Sequence, residues 1–307
     1  MNKIKAVCYL DCLPPHNNNV EKSGILNNFL TGISAAGDNV IGHKGHNLID
    51  SDIAIIVGYV HRDGKQLPHL QLRQKILDYQ KSKGKKTLIA DSNLFLYTNK
   101  QNPLHYLRYS FDGVFPTTGF YFDTNIDSNR FKQISQDLNI SVKPYRKNGD
   151  HILFCLQRNG GWSMAGYAVN NWLHDTITKI RQFTNRHIVV RAHPGDKKIK
   201  QILKINYPNV SLSTKESLIE DLKNCWATVV YNSSPAVASI IEGVPSFITD
   251  PEPQHSQSYA VANTDLSLIE QPRLTERQNW LDKLCMSHWK FEEIKNGNAW
   301  NFFKKHI

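Results

Sequence analysis

Three short segments in the second half of the chain combine glycine, hydroxyl residues and cations in ways that suit a phosphate. The first is Gln157-Arg158-Asn159-Gly160-Gly161-Trp162-Ser163. A glycine pair lets backbone amides approach an anion closely, and an arginine beside it can grip phosphate through two parallel N–H groups. Gly-Gly alone reads equally well as a plain turn; Arg158 and Trp162 beside it move the balance toward binding. The second segment is Arg191-Ala192-His193-Pro194-Gly195-Asp196. A lone histidine is usually structural, but arginine and histidine together at a strand end suit phosphate or a developing negative charge. The third is Asn232-Ser233-Ser234-Pro235, running into an apolar helical stretch. Exposed amides at a helix start, with hydroxyls and proline at the first turn, form an anion cradle or an ordinary N-cap. The spaced Gly-Lys-Ser/Thr of a Walker loop is missing.

These segments need elements that bring them together. Residues 151–156, 187–191, 227–231 and 245–249 read as strands. Residues 167–183, 217–224 and 234–241 read as helices. The first half repeats the alternation, with strands over 4–10, 52–59 and 86–90 and helices over 23–32 and 67–82. Strands alternating with amphipathic helices predict an α/β chain of parallel sheets, whose ligands bind beyond the carboxyl strand ends. Residues 139–150 carry Pro144, Gly149 and several charges and read as a linker between two Rossmann-like domains. Residues 276–303 read as two aromatic-rich helices.

The first half offers candidates for proton transfer and for a basic surface. Asp91 follows the strand over 86–90 and reads either as a catalytic base or as a helix N-cap. Asp11, His16 and His61 are further candidates after earlier strands. Arg62, Lys65, Lys81, Lys83, Lys85, Lys86, Arg108 and Tyr109, with His61, are candidates for a DNA-facing surface; any single lysine there also reads as a solvated residue.

The net charge of +10 is spread evenly, with 19 basic and 13 acidic residues in 1–150. A basic tail is excluded, and the balance favours a polyanionic partner or a phosphorylated substrate. Five widely spaced cysteines, Cys8, Cys12, Cys155, Cys225 and Cys285, read as small buried residues in a reducing compartment. No apolar run reaches the length of a membrane span, and the expected location is cytoplasmic.

The stretches VVRAHPGD and VVYNSSPAVASIIEGVPSFITD resemble the donor-binding half of GT-B glycosyltransferases. RQNWLDKLCMSHWKFEEIKNGNAW, DSNLFLYTN and LRYSFDGVFPTTG resemble bacteriophage glycosyltransferases that modify hydroxylated pyrimidines in DNA. The resemblance implies a GT-B-like α/β fold with an acceptor-binding Rossmann-like domain over 1–145 and a nucleotide-sugar domain over 146–286. A C-terminal helix over 287–307 would return to the first domain. It implies a monomeric hexosyl- or pentosyltransferase that binds double-stranded DNA, uses a UDP-sugar, glucose favoured, and needs no metal or membrane. Its acceptor would be 5-hydroxymethylcytosine in phage DNA within the infected host cytoplasm. Donor contacts would come from Gln157, Arg158, Gly160, Gly161, Trp162, Ser163, Arg191, His193, Asp196, Asn232, Ser233 and Ser234. Many GT-B enzymes hold the donor ribose with a glutamate five residues before the Gly-x-Pro step; here that position is Ala238, while Glu242 adjoins Gly243. The alternatives are a transferase of capsular or surface polysaccharide and a non-catalytic nucleotide- or nucleic-acid-binding protein.

Overall fold

Short apolar runs pair into two separate sheets in the computed structural model, which describes residues 3–13, 20–60, 67–95, 104–120, 122, 126–158, 162–164, 166–196 and 206–307. The chain divides into two compact units. The first comprises Met1–Asn93, Gln101–Phe131 and Asp282–Ile307; the second comprises Leu94–Lys100 and Lys132–Leu281.

In the first unit, β1 (Lys5–Tyr9), β2 (Asn39–His43), β3 (Ile53–Val57) and β4 (Lys86–Asp91) are mutually parallel, and β5 (Leu107–Phe111) is antiparallel to β4. The sheet order is β11-β5-β4-β3-β1-β2, where β11 is the late strand His288–Trp289. β3 is Ile-Ala-Ile-Ile-Val and buried throughout, as a strand covered on both faces must be. The helices α1 (Val20–Ala35), α2 (Pro68–Ser82) and α3 (Ser128–Leu138) belong to the segments between these strands and the second unit. Expected strands 4–10, 52–59 and 86–90 appear within a residue or two. β2 was not expected, because its exposed edge lacks a continuous apolar run.

The second sheet has the order β10-β9-β6-β7-β8, all parallel. Its strands are β6 (His151–Cys155), β7 (His187–Arg191), β8 (Val210–Leu212), β9 (Cys225–Val230) and β10 (Ser246–Ile248). The helices are α4 (Val169–Ile180), α5 (Leu218–Leu222) and α6 (Pro235–Ile241). Trp172, Leu173 and Ile177 of α4 pack with Ile152, Phe154 and Val190 in the core. The stretch 139–150 lies against its own unit: the Lys143 amide donates to Ile241 O at 2.8 Å and the Arg146 amide to Gly243 O at 2.9 Å. Gly243 has φ +76°, and a Cβ there would sit 2.1 Å from Pro144 O, so this contact requires glycine.

Beyond α7 (Gln278–Cys285), the C-terminal segment joins the first unit. β11 pairs with β5, and α8 (Phe291–Lys295) and α9 (Asn298–Phe303) follow. Trp300 and Phe303 are fully buried, with Phe303 against Phe29, Tyr109 and Phe122. The expected return of an aromatic C-terminal segment is therefore present. It consists of a short strand and two short helices after α7. All five cysteines are buried and unpaired, and burial raises the thiol of Cys225 to about 12. Among the described residues, no helix is long and apolar enough to cross a membrane.

Candidate active site

The second sheet changes direction at β6. The chain passes from β6 to β7 on one side and later returns to β9 on the other, which opens a crevice at the carboxyl ends. Cys155 pairs with both Arg191 and Val230, so the three strands end level. Residues 157–158, 191–193 and 231–234 therefore emerge along one edge of the sheet.

Several of the expected donor residues there are fully engaged with protein. Gln157 Nε2 donates to Ser163 Oγ at 2.6 Å, and its Oε1 accepts the Asn232 amide at 3.2 Å. Asn232 Nδ2 donates to Ser163 O at 3.0 Å and to Asp250 Oδ2 at 2.6 Å. This buried network fastens the turn after β6 to the ends of β9 and β10. Asp250 also accepts the Glu252 amide at 2.9 Å. Burial and the Asp250 carboxylate raise the Tyr231 phenol to about 12. The strand-end rule points to Asp250 as well, once it is extended to a fourth strand, β10.

Arg191, expected as a donor contact, is engaged with protein groups. Its guanidinium pairs with buried Asp221 and donates to Lys215 O at 3.2 Å and Glu216 O at 2.9 Å. Ser213 Oγ donates to the same carboxylate at 2.7 Å. Arg191 braces the ends of β7 and β8 and has no fork left for a diphosphate. Glu242 is equally engaged, paired with Lys143, and Ala238 is buried inside α6, so neither offers a ribose contact.

Other groups remain open to solvent or to a ligand. Arg158 is exposed and makes no hydrogen bond or ion pair among the described residues. Ser233 Oγ is buried with no hydrogen-bond partner. Ser234 precedes α6 and caps nothing with its side chain. The Gly195 amide donates to His193 Nδ1 at 3.0 Å, so a neutral ring carries its proton on Nε2. Burial and the Arg158 charge push the His193 pKa down, which favours that neutral form as a hydrogen-bond donor. Asp196 closes the same turn through its amide, 3.0 Å from His193 O. Trp162 is described in backbone only, and Gly160 and Gly161 lie outside the described residues. A cleft of about 340 Å³ runs along α4 beside this edge, bordered by Tyr167, Trp172, Asp175, Thr249, Asp250 and Thr264.

In the first unit, Asp91 ends β4 directly opposite Arg108 of β5, and Arg108 Nη2 stands 2.7 Å from Asp91 Oδ2. The chain forms a turn at 94–95, so no helix starts there for Asp91 to cap. Asp11 lies in the short turn Leu10–Cys12 and accepts the Gly45 amide at 2.7 Å, which ties the loop after β2 to the end of β1. His16, His61, Arg62 and Lys65 lie outside the described residues. Sequence reading missed Arg73, which is buried at the carboxyl ends of β1 and β3. Its signal was an arginine on the helix face that also carries Leu72, Ile76 and Gln80.

The described members of the expected DNA-facing set are dispersed. Arg108 and Tyr109 are buried in β5 and cannot form a surface. Lys85 pairs with Asp50 at 3.3 Å and approaches Asp52 at 3.8 Å. Lys86 lies over the Phe111 and Phe120 rings and donates to His306 O. Lys83 and Lys85 precede β4, so roughly 17 Å of strand separates them from the end that carries Asp91.

No protein-family model and no curated protein matches the chain. Among solved structures it is similar to the beta Kdo 2,4 transferase of Thermosulfurimonas dismutans KpsC, with 12% identity and a TM-score of 0.59 over 94% of this chain and 91% of that one. It is also similar to the beta Kdo 2,7 transferase of the same KpsC, with 11% identity and a TM-score of 0.54 over 100% of both chains. At such identities the likeness concerns fold: the protein has the GT-B-like architecture of two Rossmann-like units.

Proposed function

We propose that the protein is a nucleotide-sugar-dependent glycosyltransferase. The observation that carries this reading is the level edge of β9, β6 and β7, with the Arg158 guanidinium, His193 Nε2 and Ser233 Oγ uncommitted among the described residues and beside one another in the topology. Arg158, the His193 Nε2–H, Ser233 Oγ and the Ser234 amide would hold the donor phosphates. Gln157, Ser163 and Asn232 would hold the loop that presents them. The cleft along α4 has room for a nucleoside, and Asp175, whose Oδ2 accepts the Tyr167 hydroxyl, can accept from a ribose hydroxyl in place of the missing glutamate.

In the transfer step the acceptor hydroxyl attacks the anomeric carbon. The bond from that carbon to the phosphate oxygen breaks, and the nucleotide leaves with the electron pair. Asp91 would take the hydroxyl proton, since Oδ2 is held by Arg108 while Oδ1 and about a quarter of the side chain remain open. Hydrogen bonds from Arg158 and neutral His193 would stabilise the charge gathering on the leaving phosphate.

For the acceptor, a glycan of the surface or capsular kind is favoured over DNA. Two structures that share the fold are named as Kdo transferases, and the described lysines and arginines expected to face DNA are buried, paired or at the far sheet edge. The net charge of +10 keeps glucosylation of hydroxymethylcytosine from a UDP-sugar as the second reading. Incubation with a panel of nucleotide sugars, acidic and neutral oligosaccharides, and hydroxymethylated duplex DNA, followed by mass spectrometry, separates the two. Sugar transfer to glycan alone supports the first reading and transfer to DNA alone the second. Absence of both transfer and donor hydrolysis removes the enzyme reading.

A further inference from the structure

The guanidinium of Arg73 is a buried cation with no carboxylate in ion-pair contact among the described residues. Arg73 is 8% exposed, on the inward face of α2. Its Nε donates to Cys12 O at 2.8 Å and its Nη1 reaches Tyr59 O at 3.4 Å. Both acceptors are neutral carbonyls. Among the described residues Nη2 has no hydrogen bond, and no carboxylate lies within ion-pair distance. Taking a cation out of water this far is costly unless an anion compensates it.

The strand ends are shaped around this group. Gly58, just past β3, has φ +78°, and a Cβ there would stand 2.7 Å from Nη1 and 3.3 Å from Nη2. The Gly58 amide donates to Ala90 O at 2.8 Å, which sets it beside Asp91. Asp91 acts on Arg73 electrostatically but is itself bonded to Arg108. Among the described residues, Asp91 is thus the carboxylate that both guanidiniums share. His69 lies one turn earlier on the same helix face, and burial together with Arg73 lowers its pKa, as a poorly hydrated positive site would.

We propose that Arg73, seated at the carboxyl ends of β1 and β3 beside Asp91, is an acceptor subsite that binds a carboxylate on the sugar to be glycosylated. This rests on the transferase reading above for its role, with Arg73 holding the acid group while the acceptor hydroxyl meets Asp91 Oδ1. A single recessed charge suits one carboxylate on a sugar ring. A duplex backbone needs a row of exposed cations, and none flanks Arg73 among the described residues. Lys75, two positions along α2, points about 200° away, and Lys81 and Lys83 lie roughly 12 Å or more along the helix axis.

The test uses the full-length protein and ligand-observed NMR titrations with glucuronic acid, glucose and a 12-base-pair duplex, alongside calorimetry with UDP, CMP and GDP. The wild type is expected to bind glucuronate about tenfold more tightly than glucose, the size of one charge-assisted contact. Arg73→Gln should erase that preference and leave nucleotide affinity unchanged. Asp91→Asn should strengthen glucuronate binding, because a nearby negative charge is gone. Should Arg73→Gln fail to fold by circular dichroism, Asp91→Asn and Arg73→Lys decide the matter. Equal binding of glucuronate and glucose by the wild type overturns the proposal, as does a preference that survives Arg73→Gln. So does an Arg73-dependent loss of duplex binding with glucuronate unaffected. Loss of all donor hydrolysis with the carboxylate preference intact would instead overturn the transferase reading and leave the subsite standing.

Discussion

Arg191 and Asp221 form an ion pair at the carboxyl end of β7, with Asp221 only 3% exposed at its side chain and Ser213 bonded to the same carboxylate. The arginine that the sequence presents as a phosphate ligand is therefore a brace between the ends of β7 and β8. Removing one partner of a buried pair leaves the other charge uncompensated, at a cost of about 3 kcal/mol or more. Arg191→Ala is expected to lower the denaturation midpoint strongly. Whatever protein remains folded should bind nucleotide with affinity close to wild type by calorimetry. A stable variant that has lost donor affinity would return Arg191 to the phosphate site.

The C-terminal segment is held by a second buried cation. Arg130 Nε donates to His288 O at 3.0 Å, Nη2 donates to Glu293 Oε2 at 2.8 Å, and the guanidinium lies 4.1 Å from the Trp289 ring centroid. Trp300 Nε1 donates to Asp38 Oδ2 at 2.8 Å. Glu293→Ala is expected to cost about 3–5 kcal/mol and Trp300→Ala a similar amount through the cavity it leaves. Urea denaturation measures both. Truncation from Ser287 onward should strip β11 from the sheet and give aggregated protein. A truncated chain with unchanged melting temperature would show the segment to be dispensable.

Parallel strands were legible because β3, β6 and β9 are short, largely apolar runs followed within two residues by a glycine or a polar residue. β5 and β11 were hidden for a physical reason: they join the sheet antiparallel, and Arg108 and His288 interrupt their apolar character, Arg108 being paired with Asp91 of β4 and His288 bonded to Leu284 O. The strand-end rule located the edge carrying Arg158, His193 and Ser233. It could not separate them from Gln157, Asn232 and Arg191, because which polar groups are already engaged depends on contacts 30 to 75 residues away in sequence. Arg73 was overlooked for the same reason, being a charge inside a helical pattern that otherwise reads as α2 packing on the sheet.

Stability should fall in acid partly through His288. Its ring is fully buried, Nδ1 donates to Leu284 O at 2.9 Å, and burial with Arg108 and Arg130 nearby lowers its pKa to about 3. A histidine whose folded pKa is depressed contributes stability above its unfolded value of roughly 6.5 and loses it progressively as pH falls toward the folded value. Between pH 7.5 and 5.0 the loss from this group is expected to be about 2 kcal/mol. His69, His151 and His193 shift in the same direction and add to it. Denaturant titrations at the two pH values measure the slope. His288→Gln should be less stable at pH 7.5 and show a shallower dependence. A slope equal to that of the wild type would assign the acid sensitivity elsewhere.

Ser233 offers the sharpest separation between a fold residue and a ligand residue. Its hydroxyl is buried without a hydrogen-bond partner, beside a strand end and ahead of α6. An unsatisfied buried hydroxyl costs roughly 1 kcal/mol or more, and a ligand that supplies the missing partner recovers it on binding. Ser233→Ala removes the polar atom without altering the backbone. The variant is therefore expected to be as stable as the wild type or more stable by about 1 kcal/mol, while nucleotide affinity falls about tenfold. Arg158→Gln, on an exposed side chain, should leave stability unchanged and weaken nucleotide binding to a similar degree. The pair Ser233→Ala and Arg158→Gln together should lose more than either alone, as expected of two groups proposed to hold the same phosphates. Asn232→Ala should behave differently: it opens the Gln157–Ser163–Asp250 network, so stability and affinity should fall together. Thermal denaturation and calorimetry on the same four variants read both quantities. Ser233→Ala with lower stability and intact nucleotide binding would make the hydroxyl a structural group and remove it from the donor cradle.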